Sequence, residues 1–138
     1  MTLDISFFNI WAVLVSVVSN MILGALWYSP VLFGNQWLKL IGKKAEDISK
    51  DDASKSMMFS IIPAIVLIVL LSLVLAFTRA STVADALIIG TITSLGFMGM
   101  NAFNQYLFEQ RSLKLIILNT GYPFVALNIA AVILTLWK

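Results

Sequence analysis

The sequence predicts an all-α integral membrane protein, a bundle of four transmembrane helices that forms a single domain over residues 1–138. The chain is 60% hydrophobic and 12% charged, with a mean hydropathy of +0.96, whereas soluble domains are nearly half apolar and about a quarter charged. Four apolar stretches are long enough to cross a hydrocarbon core, which takes roughly 20 residues each. Apart from Asp85 and Lys114 at their edges, these stretches contain no Asp, Glu, Lys or Arg.

In chain order, the four predicted spans cover about residues 6–28, 57–78, 84–107 and 113–137. The first does not read as a cleaved secretory signal, because Asp4 stands where a signal carries positive charge and the apolar run is too long. We therefore predict a retained span. Aromatic side chains favour the headgroup layer, and several fall near the predicted span ends: Trp11, Trp27, Tyr28, Trp37, Tyr106 and Trp137.

The segment after the first span has a helical pattern of its own. Its apolar residues recur at the spacing of one helix face: Phe33, Trp37, Leu40 and Ile41. This predicts a helix over about residues 31–42 that lies in the cytoplasmic membrane interface. Residues 43–56 are polar and mixed in charge. There, Ser49 with Asp52 favours a helix start that leads into the second span, and a solvated linker is the alternative.

The distribution of basic residues predicts the orientation, because cytoplasmic loops retain Lys and Arg. The second loop and the two termini carry only Arg79 and Lys138 as basic residues. The first and third loops, on the other side, carry the remainder: Lys39, Lys43, Lys44, Lys50, Lys55, Arg111 and Lys114. We expect a multi-pass protein with both termini outside the cytoplasm.

The two halves of the chain share a short similarity. Residues 32–41 and 107–116 align without gaps and agree at a Leu-Phe and a Leu-Lys-Leu-Ile position. They follow the first and third spans, which cross in the same direction, so a duplication would relate two hairpins by an axis along the membrane normal. A parallel two-hairpin repeat is one interpretation. Shared demands on a cytoplasmic helix end are the other.

Polar side chains from three spans are expected at similar depth. At 1.5 Å per residue, they lie ~9–14 Å from the cytoplasmic helix ends: Asn20, Asn101, Asn119 and Tyr122. Pro123 cannot donate to the carbonyl of Asn119 and should bend the fourth span beside it. Polar groups in hydrocarbon mark either a cavity or a helix contact. The two hypotheses are therefore a polar pocket open to the cytoplasm and interhelical hydrogen bonding without a pocket.

Several chemistries are excluded by the residues that the chain lacks. With no Cys and no His, it has no thiol nucleophile, imidazole base or common zinc, copper and haem ligand. We expect no enzymatic activity, cofactor or metal site. The basic residues lie among acids or beside apolar runs, which favours the lipid bilayer over nucleic acid as a partner. Glu109 with Arg111 is either a gating or binding pair or a solvated ion pair.

One motif is specific enough to indicate a family. Residues 24–37 read G-A-L-W-Y-S-P-V-L-F-G-N-Q-W. This pattern resembles the signature of the bacterial membrane proteins grouped as domain of unknown function 1761, and the resemblance implies a four-span fold without an established activity. It also implies the bacterial inner membrane as the location. Ser29-Pro30 should stop the first span, so Trp27, Tyr28, Ser29 and Pro30 form either a structural elbow or the rim of the polar pocket.

Two functions follow as expectations. Pumps and carriers of strongly charged solutes place ionisable residues inside their spans, and here such residues lie only at span edges. The first expectation is therefore a transporter or channel-like protein for a neutral or weakly charged solute, which works as a homo-oligomer because four spans enclose little volume. The alternative is a non-enzymatic accessory or scaffold subunit that docks its Gly-rich third span onto a larger membrane complex.

Overall fold

The structure is a computed structural model that describes residues 8–137, and over that range it is helical without any strand. The chain forms α1 (Ile10–Trp27), the short helix α2 (Gly34–Leu40), α3 (Lys50–Phe77), α4 (Val83–Phe108) and α5 (Leu113–Leu136). All but α2 are long and apolar enough to span a membrane, which confirms the predicted four-helix membrane fold. Asp4, Lys138 and the predicted start of the first span lie outside the described residues.

The helix starts follow from local capping groups. The side chain of Asn9 accepts hydrogen bonds from the amides of Trp11 and Ala12, at 2.9 and 3.3 Å, and begins α1. Ser49 accepts from the amide of Asp52 at 3.0 Å, so α3 begins at Lys50, seven residues before the predicted span at residue 57. The predicted helix start at Ser49 is confirmed, and the linker alternative is wrong for residues 50–56.

Left-handed residues end three of the helices. Arg79, Gln110 and Gly42 have φ values of 54°, 56° and 72°. In each case the next amide bonds a carbonyl five residues back, as in Lys43 N to Leu38 O at 3.0 Å and Arg111 N to Tyr106 O at 2.9 Å. These bonds satisfy carbonyls that the helix end leaves free. At Arg79 and Gln110 they form short turns into the next helix, whereas Gly42 leads into a longer connection that contains a 3-10 turn at Ala45–Asp47.

The apolar core lies in the half of the bundle that is remote from the predicted cytoplasmic loops. Its fully buried residues include Ile68 and Leu71 of α3, Ala86 of α4 and Leu127 of α5. In an apolar 18-residue stretch of α5, 39% of the residues are buried, against 22% to 28% in the corresponding stretches of the other three spans. The fourth span is therefore the central helix of the bundle.

The opposite half of the bundle is open. The end at which α1 and α4 finish, α2 lies and α3 and α5 begin is called the basic end below, because it carries the lysines of the first and third loops. Here the side chains of residues 50–63 in α3 are all exposed, and Met100–Phe108 of α4 has no buried residue. Gaps between the helices are therefore concentrated at the basic end.

Two sequence predictions about this end have different outcomes. A helix does form within residues 31–42, although it covers only Gly34–Leu40, and its location in the membrane interface stays a prediction. The segments that align at residues 32–41 and 107–116 adopt different structures, because the first contains α2 and the second contains the turn from α4 to α5. The two-hairpin repeat stays a prediction.

Candidate functional site

The motif at the end of α1 folds into a compact elbow. The amide of Phe33 donates to the carbonyl of Trp27 at 3.0 Å, and the amide of Gly34 donates to the carbonyl of Ser29 at 2.8 Å. The Ser29 hydroxyl donates to the carbonyl of Leu26 at 2.7 Å. Pro30 lies in the exposed turn, where its missing amide hydrogen costs no bond. The motif thus supplies hydrogen bonds for its own backbone groups in the turn from α1 into α2.

The elbow is attached to the central helix by two aromatic side chains. The indole nitrogen of Trp27 donates to the carbonyl of Leu118 at 3.0 Å, and the Tyr28 hydroxyl donates to Oδ1 of Asn119 at 3.3 Å. The Trp27 ring packs on Phe33, with centroids 4.7 Å apart, and the Tyr28 ring packs on Trp37 at 5.4 Å. The last residue of α1 and the residue after it therefore bond consecutive residues of α5, and each also packs on a ring at the start of α2 or within it.

A polar cluster extends inward from this attachment. Nδ2 of Asn119 donates to the Tyr106 hydroxyl at 3.2 Å, so Asn119 joins α1, α4 and α5. The Tyr122 hydroxyl lies 3.1 Å from Oδ1 and 3.2 Å from the carbonyl oxygen of Asn20. The Tyr28 and Tyr122 rings meet edge to face with centroids 5.8 Å apart. We call the five residues that make these contacts the tyrosine-asparagine cluster: Asn20, Tyr28, Tyr106, Asn119 and Tyr122.

The structure thus brings together three of the four predicted pocket residues. Asn20, Asn119 and Tyr122 belong to the cluster, and Asn20 is buried at 7% exposure. Asn101 is exposed on α4 and makes none of the side-chain contacts that define the cluster. Pro123 has no amide hydrogen to donate to the carbonyl of Asn119. Trp27 bonds the neighbouring carbonyl of Leu118 instead, and Asn119 takes part in the cluster through its side chain.

A cleft of about 680 Å³ opens beside the cluster, between α1, the segment containing α2, and α3. Tyr28 and Tyr122 form part of its wall, so the cleft reaches the cluster. Lys43, Asp47 and Asp52 line it where the loop meets α3. The other lining residues are small, apolar or hydroxylated: Met21, Gly24, Ala25, Trp37, Ile48, Ala53, Ser56, Met57 and Ser60. Its volume falls within the roughly 300–1,000 Å³ of small-molecule sites.

Gly24 lies where the cleft meets the cluster. A Cβ atom at this position would lie 3.1 Å from the Tyr122 hydroxyl oxygen and 3.2 Å from its ring carbon Cζ. Contacts this short require the phenol, which bonds Asn20, to shift by a few tenths of an ångström. The glycine therefore lets Tyr122 approach α1 closely at the wall of the cleft.

The predicted ion pair lies apart from this cleft. Nε of Arg111 is 3.2 Å from Oε2 of Glu109, and the two side chains are 47% and 39% exposed. Gln105 donates to the same carboxylate at 2.9 Å. The hydrogen bond from Gln105, followed by that from Arg111, lowers the pKa of Glu109. Neither Glu109 nor Arg111 lines the cleft, and their exposure is that of a solvated surface pair.

Sequence reasoning missed a second polar contact between spans. Asn128 of α5 is buried, its Oδ1 accepts from the Thr91 hydroxyl at 3.3 Å, and its Nδ2 donates to the carbonyl of Phe124 at 2.8 Å. A Cβ at Gly90 would lie 2.8 Å from that Oδ1, so α4 and α5 cross closely here. The signal was Asn128 itself, an amide side chain within an apolar stretch of the fourth span, but its partner on α4 was not predicted.

No group of three or more His, Cys, Asp or Glu side chains able to hold a metal ion occurs within residues 8–137. The polar groups of the cleft and the tyrosine-asparagine cluster are instead hydroxyls, amides and one lysine with two aspartates. Hydroxyls and amides both donate and accept hydrogen bonds without net charge. Of these neutral groups, the hydroxyls of Tyr28, Tyr122, Ser56 and Ser60 line the cleft, whereas Asn20 and Asn119 do not.

Comparison with known proteins identifies the family. The family model described as protein of unknown function DUF1761 matches residues 11–135. The chain belongs to this family. The matched range includes the whole elbow, all five members of the tyrosine-asparagine cluster and every residue of the cleft. No curated protein and no solved structure matches the chain.

Proposed function

We propose that this DUF1761 protein is a non-enzymatic transporter or channel-like protein for a small neutral or weakly charged solute. The observation that supports the proposal is the cleft, which leads from the charged residues of the first loop to the phenols of Tyr28 and Tyr122. Beyond Lys43, Asp47 and Asp52 at the basic end, its wall carries hydroxyl groups and apolar side chains. Transfer of a solute from water into contact with such groups costs little free energy only if the solute carries little charge.

The proposal includes a location and an assembly. The protein would lie in the bacterial inner membrane with its basic end at the cytoplasm and both termini outside, as the Lys and Arg bias favours. It would act as a homo-oligomer, because the α3 wall of the cleft belongs to the segment at residues 50–63 that is exposed in one copy. A second copy against this segment would enclose the solute path.

A swelling assay in proteoliposomes tests the proposal, with urea, glycerol and sorbitol as the neutral probe solutes. We expect the protein to raise the permeability to at least one of them above that of protein-free liposomes. Ala53→Trp places a large ring on an exposed helix position that lines the cleft, and we expect it to return permeability to the protein-free level.

Ala84→Trp is the matched control, because Ala84 is also an exposed alanine of a spanning helix but lies outside both the cleft and residues 50–63. It should leave permeability unchanged. A protein that increases the permeability to none of the probes, or equal permeability in the Ala53 and Ala84 variants, would contradict transport through the cleft.

The accessory-subunit alternative is supported by a different surface. Gly96 of α4 has open space around it, and Phe97 beside it is 73% exposed. Such a small residue lets a partner helix approach closely within a membrane. This alternative predicts that the protein purifies as a single copy in a fixed ratio with a larger complex, whereas the transport proposal predicts a defined homo-oligomer. The mass of the native assembly distinguishes the two.

A further inference from the structure

A second groove lies on the other side of the elbow from the cleft. It has a volume of about 840 Å³ and runs between α2 and the first part of α5. Its polar lining consists of Gln36, Lys39, Ser112 and Lys114. Its apolar lining consists of Trp27, Phe33, Leu40, Ile117, Leu118 and Gly121. The groove therefore has a basic part and an apolar part.

The charge of this groove is of one sign. Lys39 and Lys114 line it, and no acidic residue does. Neither lysine belongs to an ion pair, since the ion pairs of residues 8–137 are Lys55 with Asp51 and Arg111 with Glu109. The cleft differs in this respect, because Asp47 and Asp52 line it together with Lys43. Two unpaired ammonium groups from separate helices thus face one space, and an anion there would balance both.

The apolar part indicates what the anion is attached to. The Trp27 ring lies against Gly121, where a Cβ would come within 3.0 Å of the ring, and its indole nitrogen is held by the Leu118 carbonyl. Ile117 lines the groove and is 62% exposed on α5, so the apolar part continues onto the outer surface of a membrane-spanning helix. Acyl chains occupy that surface in a bilayer, whereas a free phosphate ion would gain nothing from it.

We propose that this groove binds an anionic phospholipid, with the headgroup phosphate between Lys39 and Lys114 and one acyl chain along Phe33, Leu40 and Ile117. Basic pockets between membrane helices are suited to such headgroups. Ser112 and Lys114 lie at the start of α5, where the helix dipole adds to the attraction for an anion. The site is separate from the cleft, so the proposal is independent of solute transport.

Native mass spectrometry of the detergent-solubilised protein tests this site, with dioleoyl phosphatidylglycerol and dioleoyl phosphatidylcholine as the probes. We expect phosphatidylglycerol to be retained in preference. A lysine at the membrane surface contributes about a fivefold change in affinity for anionic lipid. Lys39→Gln with Lys114→Gln should therefore weaken phosphatidylglycerol binding by about 30-fold, while Lys39→Arg with Lys114→Arg should retain it.

Lys44→Gln with Lys50→Gln is the matched control, because it removes the same charge from exposed positions at the basic end that do not line the groove. It should bind phosphatidylglycerol as the unaltered protein does. Ile117→Trp should weaken binding without any change in charge. Equal retention of the two lipids, equal binding by the two glutamine double variants, or displacement of the lipid by excess inorganic phosphate would overturn the proposal.

Discussion

At the residue scale, Gly34 is the glycine at which an added Cβ atom would meet the closest atoms. Such a Cβ would overlap the carbonyl oxygen of Tyr28 and lie 2.7 Å from the carbonyl carbon and oxygen of Ser29. These are backbone atoms held by the hydrogen bonds of the elbow, so they cannot move aside as a side chain would. We predict that Gly34→Ala lowers the free energy of unfolding by about 1–3 kcal/mol, the usual cost of overpacking, as measured by thermal unfolding in detergent.

Gly96→Ala is the matched control for this substitution. Gly96 is helical and has no atom near the place where a Cβ would stand, so alanine there should be neutral or stabilising. The steric account of Gly34 is wrong if the two alanine variants unfold at the same temperature.

Individual polar residues were only partly predictable, and Asn101 shows why. Depth along a helix follows from residue counting, and it correctly grouped Asn20, Asn119 and Tyr122. The face on which a residue lies depends on its angle around the helix axis. Counting at 3.6 residues per turn gives that angle only in a regular α-helix. In α4 the segment Ile92–Gly99 is π-helical, and such a segment changes the rotation of everything after it. Asn101 follows this segment and lies on an exposed face.

At the element scale, α3 combines two segments with different support. Its second half is packed, with Ala64, Ile68, Leu71 and Leu75 in the core, whereas the side chains of residues 50–63 are exposed. A helix segment without tertiary packing depends more on its cap. We predict that Ser49→Ala speeds amide hydrogen exchange in the first turns of α3 by about fivefold, which corresponds to a cap of about 1 kcal/mol.

The exchange experiment has an internal reference and a matched variant. Amides in the packed half of α3 should exchange at an unchanged rate, because their opening requires the core to unfold. Ser54→Ala alters an exposed serine of the same segment that does not cap the helix, so it should leave exchange unaffected. Uniformly faster exchange along all of α3 would show that the two halves open together and would contradict the division of α3 into a packed half and an independently opening half.

The helices themselves were more predictable than their details. The four apolar stretches correspond to the four spans because hydropathy alone sets which segments can cross a bilayer. The start of α3 at Lys50 was visible in Ser49 and Asp52, since capping is a local interaction. The π-helical segment of α4 was not predicted, since such segments are rare and the apolar pattern of a span does not distinguish them.

At the scale of the whole molecule, the bundle is asymmetric along its axis. One end has an apolar core around α5, and the basic end has the tyrosine-asparagine cluster, the cleft and the groove. The elbow connects these features, because Trp27 lines the groove and Tyr28 lines the cleft while both bond α5. Loss of the Trp27 bond or of the Tyr28 bond to α5 is therefore expected to alter both the groove and the cleft.

This asymmetry makes the orientation in the membrane testable with single cysteines, since the sequence contains none. Ser54→Cys lies at the basic end and Ser81→Cys lies in the turn between α3 and α4 at the other end, and both positions are exposed. With the basic end at the cytoplasm, a membrane-impermeant maleimide should label Ser54→Cys in inverted vesicles and Ser81→Cys in right-side-out vesicles. Ala131→Cys, at a position with 0% exposure, should react only after unfolding. Labelling of the first two in the reverse pattern would show that the Lys and Arg bias misleads here and that the cleft opens to the outside.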